Sequence, residues 1–412
     1  MKVAVIGSGI SGLGTAYALT RGGQEVHLFE RSERLGGHTQ TTTLEDGTAV
    51  DTGFIVHTRE NYPAFVRLMG ELDVPTCPSD MSFAYDGPEL GWCSRGLNGL
   101  LTQRHLAFSP RFWRFWREVA RFNAWGNALA LDLAAAERPL EEALAREGFS
   151  ADLRQAYVYP MAGAVWSTPV REMEGFPTLA LLRFLRHHGM LGFTTQRPWR
   201  TIPGGTSRYL EPIARPFRER IRLGARVAAV TRDGQGVNLA LEGEGTLAFD
   251  AVVFACHGDQ VLPMLADASP LEREILGAFH PNPSPTWLHT DTSILPARRR
   301  AWASWNYRRH PDGRLQLTYH MNRLQPLATP RDLLVTLHGA GVVDETQVLR
   351  KFDYEHPRFD LAALRAQQRW AEISGTARTH FAGAYWSSGF HEDGLCSGLR
   401  VAEAILGREP LP

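Results

Sequence analysis

Three glycines near the start of the chain have the spacing of a site that holds a dinucleotide phosphate. Gly7, Gly9 and Gly12 satisfy the pattern G-x-G-x-x-G. In this pattern the first glycine permits a tight turn, the second lets the backbone approach a pyrophosphate, and the third lets a helix pack closely on a strand. Glu30 lies roughly 20 residues beyond the third glycine, where an acid bonds a ribose hydroxyl. These residue types predict a nucleotide cofactor.

The surrounding residues predict the elements that such a site needs. The apolar run Val3–Ile6 is typical of a buried parallel strand. A helix is expected to follow the glycines and to stop near Gly22-Gly23, and EVHLFE at 25–30 predicts a second strand. The N-terminus of that helix offers unpaired N–H groups to phosphates. A glycine-rich turn without a ligand is the alternative, and the flanking strand, helix and acid-tipped strand favour the cofactor site.

The ten residues after the second strand carry a resemblance to a known family. ERSERLGGHT, Glu30–Thr39, resembles the E-x-x-x-R-x-G-G-x-T segment of the amine oxidase and phytoene desaturase superfamily of flavoproteins. The resemblance implies FAD, with the paired glycines against its pyrophosphate and the arginine adding charge there. Two family arginines are replaced, since Ser32 stands two residues after the acid and His38 follows the glycine pair.

HFAGAYWSSGFHEDGLCSGLRVAEAI, at 380–405, resembles the segment that closes the FAD domain in this superfamily. The resemblance implies a helix opening at Gly394 whose N-terminus faces the flavin, and Tyr385-Trp386 near the flavin face. Ala384 replaces an acid that usually bonds the ribityl chain. The cofactor contacts predicted from the glycine pattern and the resemblance are Gly7, Ser8, Gly9, Ile10, Ser11, Gly12, Glu30, Arg31, Arg34, Gly36, Gly37, His38, Thr39, Asp51, Gly53, Phe54, Val227, Gly383, Ala384, Trp386, Gly394, Leu395 and Ser397.

Composition narrows the class of protein. With 412 residues, 43% hydrophobic and 21% charged, the chain has enough apolar residues for a large core and is expected to form two domains. Its net charge of zero excludes the basic footprint of a nucleic-acid-binding protein. The four cysteines have no metal-ligand spacing and suit a reducing compartment, so we expect no metal and a cytoplasmic location. We also expect neither a signal peptide nor a membrane span.

The resemblance implies an α/β fold in which two domains interleave along the sequence. One is a Rossmann-like FAD/NAD(P)-binding domain of the amine oxidase type, and the other is an α+β substrate domain. We expect the FAD-binding domain to comprise 1–57, 199–279 and 371–412, and the substrate-binding domain to comprise 58–198, which looks mostly helical, and 280–370. Within the FAD-binding part, residues 225–243 predict a two-stranded hairpin around Gly234–Gly236.

A closer resemblance spans nearly the whole chain. Segments such as DTGFIVHTRENYP, SDMSFAYDG, LHTDTSILP, AWASWNY and AYWSSGFHEDG look like one branch of the superfamily. That branch includes the oxidase-like N-terminal region of plant cyclopropane fatty acid synthases and stand-alone bacterial relatives that desaturate methylated acyl chains. The resemblance implies a fatty acyl or other lipid substrate. It also implies a fatty acid or cyclopropane methyltransferase as a partner.

Lysine content bears on the choice between amine and lipid chemistry. Flavin amine oxidases typically hold a lysine near the flavin, and this chain has only Lys2 and Lys351, neither of which suits that role. An apolar substrate is favoured instead. The aromatic residues expected to make the substrate domain apolar include Phe54, Trp166, Phe176, Phe184, Phe193 and Trp199. Ordinary core packing is the alternative for each of them.

The chemistry expected is hydride transfer from an sp3 carbon to the flavin, while a base takes the neighbouring proton. Histidine titrates near neutrality, so His320 and His391 are candidate proton acceptors, together with Tyr319. Three functions stay open: a lipid desaturase or oxidase, a small-molecule amine oxidase, and a non-catalytic flavoprotein that assists a lipid methyltransferase.

The segment RFWRFWREVARFNAW, at 111–125, predicts an amphipathic helix. Its apolar face would carry Phe112, Phe115, Trp116, Val119 and Phe122. Such a helix suits either a core-packed position with its arginines in water or a peripheral contact with a bilayer. We favour packing and keep membrane contact as a hypothesis.

Overall fold

In a computed structural model, the described residues are 1–101, 103–132, 135–166, 173–193, 197–310 and 314–410. Their strands are β1 (Lys2–Ile6), β2 (Glu25–Phe29), β3 (Thr41–Thr43), β4 (Ala49–Asp51), β5 (His57–Thr58), β6 (Cys77–Pro78), β7 (Phe83–Asp86), β8 (Gly91–Cys93), β9 (Trp199–Thr201), β10 (Ile221–Arg222), β11 (Val227–Arg232), β12 (Val237–Leu241), β13 (Thr246–Phe249), β14 (Ala251–Phe254), β15 (Pro281–His289), β16 (Trp305–Arg309), β17 (Leu315–His320), β18 (Leu334–Leu337), β19 (Val348–Pro357) and β20 (Thr379–Phe381). Their α-helices are α1 (Ile10–Arg21), α2 (Pro63–Glu71), α3 (Gly96–Leu100), α4 (Pro110–Leu131), α5 (Leu140–Arg146), α6 (Ala151–Leu153), α7 (Tyr159–Trp166), α8 (Thr178–His187), α9 (Leu210–Ala214), α10 (Val261–Met264), α11 (Pro270–Leu276), α12 (Met321–Leu324), α13 (Leu361–Gln367), α14 (Trp370–Ile373) and α15 (His391–Leu406).

A five-stranded parallel sheet, in the order β10-β2-β1-β14-β20, carries the glycine pattern. Because side chains alternate along a strand, β1 serves two cores. Val3 and Val5 pack with α1 and α15 on one face of the sheet, while Ala4 and Ile6 pack with β12 and β14 on the other. The predicted first strand, the helix that ends at Gly22 and the second strand are confirmed.

Helices α1 and α15 pack closely on one face of this sheet. A Cβ placed on Gly398 would lie 2.3 Å from the carbonyl oxygen of Ser11, so only a glycine fits at this crossing without displacing backbone. The Thr15 hydroxyl donates to the carbonyl of Ser11 and lies 3.1 Å from that of Gly398. Close packing therefore joins the two ends of the chain beside the glycine loop.

A three-stranded antiparallel sheet, β11-β12-β13, covers the opposite face. The hairpin predicted around Gly234–Gly236 is confirmed, and its turn closes with a hydrogen bond from Asp233 N to Gly236 O. Apolar side chains of β12 contribute to the same core as those of β14. The parallel sheet is thus buried on both faces, as its continuous apolar strands predict.

A seven-stranded sheet in the order β19-β15-β18-β17-β16-β7-β8 forms the second large layer. Its pairs are antiparallel except β16 with β7. The 58–198 region expected to be mostly helical therefore also supplies two strands to this sheet. Helix α2, from the same region, packs in the core of α1. The predicted boundaries between the two domains stay a prediction.

Helix α4 includes the predicted amphipathic segment. Phe112, Phe115, Val119 and Phe122 are buried in the largest core, so the packing interpretation holds for this face, with Trp116 half-buried at its edge. Three large apolar side chains are exposed on the outside of the molecule: Trp113 at 57%, Phe193 at 63% and Phe108 at 90%. Within the described ranges, no helix has both the length and the apolar character needed to cross a bilayer.

Candidate active site

A cavity of about 710 Å³ lies between the carboxyl ends of the parallel strands and the seven-stranded sheet. Ligand sites of α/β proteins form at this edge, where loops leave the strands. The loops that line it are Gly7–Ser11, Gly36–Thr39, Thr52–Val56, Ala255–Gln260, Gly383–Tyr385 and Gly389–His391. The sequence patterns at both ends of the chain therefore meet at one cavity.

The glycine loop has the shape that a diphosphate needs. Gly7 has a φ of +105°, and a Cβ on Gly12 would lie 1.9 Å from the Gly7 carbonyl oxygen, so the turn and the helix contact leave no room for a side chain. A Cβ on Gly9 would meet no atom within 4 Å. Gly9 lines the cavity and precedes the first turn of α1, whose free N–H groups favour an anion. The loop thus fits the pyrophosphate of a dinucleotide.

Glu30 lies at the cavity, at the end of β2. One of its carboxylate oxygens accepts from Ser8 N and Oγ at 2.9 and 2.7 Å, and the other accepts from Ser32 N and Oγ at 2.9 and 2.8 Å. Burial alone would raise the pKa of Glu30, but these hydrogen bonds outweigh it and lower the pKa. An ionised acid therefore faces the cavity near the predicted ribose position.

The second glycine pair lies directly against the first loop. Gly36 N donates to Ser8 O at 3.0 Å, and a Cβ on Gly37 would be 3.2 Å from Gly9 Cα. Arg34 does not line the cavity, because its guanidinium donates to the Gly37 carbonyl at 2.7 Å and to neighbouring carbonyls. Its role here is to hold the loop, whereas Arg31 lines the cavity itself.

Asp51 lies behind the cavity wall. Its buried carboxylate accepts from Thr206 N at 2.9 Å, from the Thr41 hydroxyl at 2.5 Å and from Gln325 Nε2 at 2.7 Å. This network ties three distant segments together. The turn that follows it places Gly53 and Phe54 at the cavity. Asp51 therefore positions the turn rather than contacting a ligand.

The C-terminal helix differs from the prediction at its start. Helix α15 begins at His391, three residues before the predicted Gly394, because Asp393 accepts a hydrogen bond from Phe390 N and caps the earlier turn. Its first residue, His391, and the preceding Phe390 line the cavity. Leu395 is buried in the core, and Ser397 Oγ accepts from Gly383 N at 3.0 Å, so neither residue reaches the cavity.

Trp386 also differs from the prediction. It lies in the wall of a second, smaller cavity, while its neighbour Tyr385 lines the main one. The two residues share the short 3-10 turn Ala384–Trp386, and their ring centroids are 5.2 Å apart with an interplanar angle of 38°. Among the predicted cofactor residues, those lining the main cavity are Gly7, Ser8, Gly9, Ile10, Ser11, Glu30, Arg31, Gly36, Gly37, His38, Thr39, Gly53, Phe54, Val227, Gly383 and Ala384. Those outside its lining are Gly12, Arg34, Asp51, Trp386, Gly394, Leu395 and Ser397.

His391 is held rigidly at the cavity. Its ring stacks on Phe54, with centroids 3.8 Å apart and planes within 7°. Its Nε2 lies 3.0 Å from the hydroxyl of Tyr209, which in turn lies 2.6 Å from the hydroxyl of Thr39. Burial, with a smaller effect of His57, lowers the pKa of His391 to about 3, so the imidazole is neutral at physiological pH.

Tyr319 and His320 separate at the end of β17. Tyr319 lines the cavity beside Trp305, with ring centroids 5.1 Å apart. Because successive side chains of a strand point to opposite faces, His320 points away and its Nε2 lies 3.1 Å from Asp332 Oδ1. The position of His320 does not suit a proton acceptor at this cavity.

The aromatic residues predicted from sequence divide into three groups. Phe54, Phe184 and Trp199 line the main cavity. Trp166 and Phe176 line the smaller cavity, and Phe193 is exposed on the surface. The two lysines are remote, since Lys2 lies over the ring of Phe249 and Lys351 over that of Trp287. Neither lysine lines the cavity.

Sequence reasoning missed several residues at the cavity. His257 follows β14, His356 lies at the end of β19, and His188 stacks on Phe184 with centroids 3.9 Å apart. His257 could have been found, because it follows the apolar run Ala251–Phe254, and α/β proteins bind ligands at the carboxyl ends of such strands. His188 and His356 carry no such signal, since only long-range packing brings them to the cavity.

The sequence model of the family described as flavin containing amine oxidoreductase matches residues 10–406. The chain belongs to this family. Its cofactor is FAD, and its family consists of FAD-dependent oxidoreductases. The predicted superfamily and the α/β class of the fold are thereby confirmed. The Gly7–Gly12 loop and the open space at Gly9 would hold the FAD diphosphate.

Relatives within and around this family differ in what they act on. AofH of Mycobacterium tuberculosis, named as a flavin-containing monoamine oxidase, is 28% identical over 258 residues, which are 58% of this chain and 53% of AofH. The chain thus spans about half the length of that curated relative. A putrescine oxidase bound to putrescine has a TM-score of 0.74 at 16% identity, over 99% of this chain and 100% of the other. A fatty acid isomerase from P. acnes has a TM-score of 0.71 at 14% identity, over 98% of this chain and 97% of the isomerase chain. At such identities the structural matches show the fold alone.

Proposed function

We propose that this flavoenzyme is a desaturase or oxidase that removes hydride from a fatty acyl or other lipid chain. The supporting observation is the wall of the cavity on the side of the seven-stranded sheet. Phe83, Trp305, Tyr319 and Leu337 from four neighbouring strands line it. Within the described ranges, every charged Asp, Glu or Arg side chain that lines the cavity lies on another side of it, near the glycine loop or the three-stranded sheet.

This distribution of charge favours an apolar substrate over an ammonium ion. Each methylene moved from water into such a wall stabilises binding by about 0.8 kcal/mol. A buried ammonium group without a carboxylate partner would lose its hydration with no compensating charge. The wall offers rings, aliphatic groups and hydroxyls, such as Phe184, Met190 and Thr286. An acyl chain matches these groups.

His391 is the residue best placed to take a proton from the substrate. When the Tyr209 hydroxyl accepts from His391 Nε2 and donates to Thr39, the other ring nitrogen, Nδ1, is left as an acceptor. No protein group in the described ranges bonds to this Nδ1. Stacking on Phe54 fixes its direction. A neutral imidazole at the cavity is thereby ready to receive a proton.

Bound FAD supplies a two-electron oxidant that takes hydride from an sp3 carbon. His391 Nδ1 takes the proton of the adjacent carbon, and the electron pair of that C–H bond becomes the second bond of the new alkene. A weak base suffices, because hydride loss makes the adjacent proton acidic. The apolar wall keeps water from the reacting carbons, and Tyr319 and Trp305 orient the chain.

The test is anaerobic flavin absorbance of the purified holoenzyme, mixed in turn with amines and with methyl-branched or unsaturated phospholipids. We expect bleaching by lipid alone. His391→Gln should slow bleaching by about 100-fold, within the usual range for loss of a general base. His320→Asn is the matched control, because that side chain lies outside the cavity lining. Bleaching by amines alone would reject the proposal.

Two alternatives make different predictions, which are checked by amine turnover in aerated buffer and by co-purification with a lipid methyltransferase. Amine oxidation with peroxide release would favour a small-molecule amine oxidase, and the remote position of Lys351 counts against it. Stable association with a lipid methyltransferase, without flavin reduction by any lipid, would favour a non-catalytic partner. The methyltransferase itself remains part of the proposal, as the enzyme that supplies methylated chains.

A further inference from the structure

Three imidazoles form a cluster in the wall of the cavity, which we call the imidazole cluster: His38, His257 and His356. The rings of His38 and His257 are stacked, with centroids 5.5 Å apart and planes within 12°. The rings of His38 and His356 are 5.1 Å apart, and Tyr354 packs 5.3 Å from His38. The cluster brings together three separate segments of the chain.

The cluster has unsatisfied hydrogen-bonding capacity. His38 Nε2 and His356 Nδ1 are buried and have no hydrogen-bond partner. Within the described residues, no protein group bonds to any of the three rings. Buried polar nitrogens in folded proteins are almost always matched by a protein group, a water or a ligand. Two such buried nitrogens beside a third imidazole, at one wall of a ligand cavity, indicate a missing partner of matching polarity.

The position of the cluster says which part of a ligand it would meet. His38 directly follows Gly37, which lies against Gly9. His257 lies two residues after Ala255, whose carbonyl oxygen would be 2.8 Å from a Cβ on Gly7. Two of the three imidazoles therefore flank the glycine loop, the loop that fits a diphosphate.

The arginines near the cluster do not fully balance the negative charge of a diphosphate. Arg34, near His38, already donates to loop carbonyls. His257 faces Asp259, Glu355, Arg31 and Glu30.

The other neighbours of the cluster are neutral or titratable imidazoles and phenols. His38 also faces His391 and Tyr354, and His356 faces His257 and His338. Burial lowers the pKa of all three cluster histidines, that of His356 to about 4, and repulsion from neighbouring imidazoles adds to the effect at His38 and His356. Without an anion the cluster is therefore neutral near pH 7.

We propose that His38, His257 and His356 bind the diphosphate of FAD and gain protons when it binds, so that FAD is held more tightly as the pH falls. Imidazolium N–H groups form short, charge-assisted hydrogen bonds to phosphate oxygens. Because the bound anion favours the protonated rings, binding takes up protons from solution. This inference rests on FAD as the cofactor and not on the lipid substrate.

The test is release of FAD from the holoenzyme on dilution, followed by flavin fluorescence between pH 6 and pH 8. We expect the dissociation constant to rise by about tenfold per pH unit for each proton gained. His38→Gln and His356→Gln should weaken binding most at pH 6 and flatten this slope. His38→Arg should flatten the slope while holding FAD tightly, because its charge does not titrate. His105→Gln, at an exposed position, is the matched control.

A dissociation constant that does not change over this pH range would overturn the proposal. So would a wild-type slope in both glutamine variants. Circular dichroism separates loss of binding from loss of fold. Since no substrate is present, a failure here leaves the lipid proposal untouched, and a failure of lipid to bleach the flavin leaves this one untouched.

Discussion

Two substitutions in one loop should separate folding from cofactor binding. In Gly12→Ala the new Cβ would lie 1.9 Å from the Gly7 carbonyl oxygen. Helix α1 would have to move by about 1.5 Å to restore ordinary contact. In Gly9→Ala the new Cβ would meet no protein atom within 4 Å, and the φ of −64° and ψ of 176° at Gly9 suit any residue.

The expected magnitudes follow from these contacts. Overpacking against fixed backbone should lower the free energy of unfolding of Gly12→Ala by about 3 kcal/mol. For a chain of this length that corresponds to a fall in Tm of about 3–4 °C. Gly9→Ala should change the free energy of unfolding by less than about 1 kcal/mol. Its methyl group would displace the diphosphate from two backbone donors, which weakens FAD binding by about 3 kcal/mol, or roughly 150-fold.

Scanning fluorimetry of the FAD-free proteins measures the first effect, and FAD release on dilution measures the second. The reasoning would be refuted if Gly9→Ala bound FAD as tightly as the wild type. It would equally be refuted if the Tm fell by the same amount in both variants, because the new methyl group at Gly9 would then meet protein atoms and not open space.

Three further predictions use other parts of the molecule. Lys351→Met should leave the rate of flavin reduction unchanged, because the ammonium group does not line the cavity. A fall in this rate of more than about tenfold would favour amine oxidation instead. The FAD-free protein should lose stability as the pH falls from about 6.5 toward 4, because burial lowers the pKa of His57, His188 and His289 to about 4 each, while the unfolded chain takes up protons near 6.5. Each should contribute a loss of about 2 kcal/mol at pH 5, and a Tm that stays constant between pH 7.5 and 5 would contradict this. If the protein contacts membranes peripherally, it should float with anionic liposomes, and Trp113→Ser, which removes an exposed ring, should reduce flotation. Wild-type protein that stays at the bottom of the gradient would contradict that hypothesis.

The cofactor half of the site could be predicted because its determinants are local. Gly7, Gly9 and Gly12 specify a turn and a helix start within six residues, and the elements around them follow from short apolar runs. Such signals depend on backbone geometry that the nearest neighbours in sequence impose. The resemblance at 380–405 added that the chain's end returns to this loop, which α15 confirms.

The direction of individual side chains was harder to predict. His320 and Trp386 were expected at the cavity and lie outside its lining, because a one-residue step along a strand or a tight turn reverses the side chain. Arg34 and Asp51 were expected to contact the cofactor and instead hold loops that line the cavity. In each case the residue was in the correct segment, and its role depended on which neighbour it met.

The amino-acid sequence is sufficient to predict a βαβ unit with a phosphate-binding glycine loop, membership of a flavoprotein family, and the absence of a suitable lysine. Which distant side chains share the cavity depends on the tertiary structure. His38, His257 and His356 lie more than 300 residues apart at their extremes and have no common pattern. Pairing of strands and packing of cores bring them together, and these depend on contacts between remote segments that no local window of sequence records.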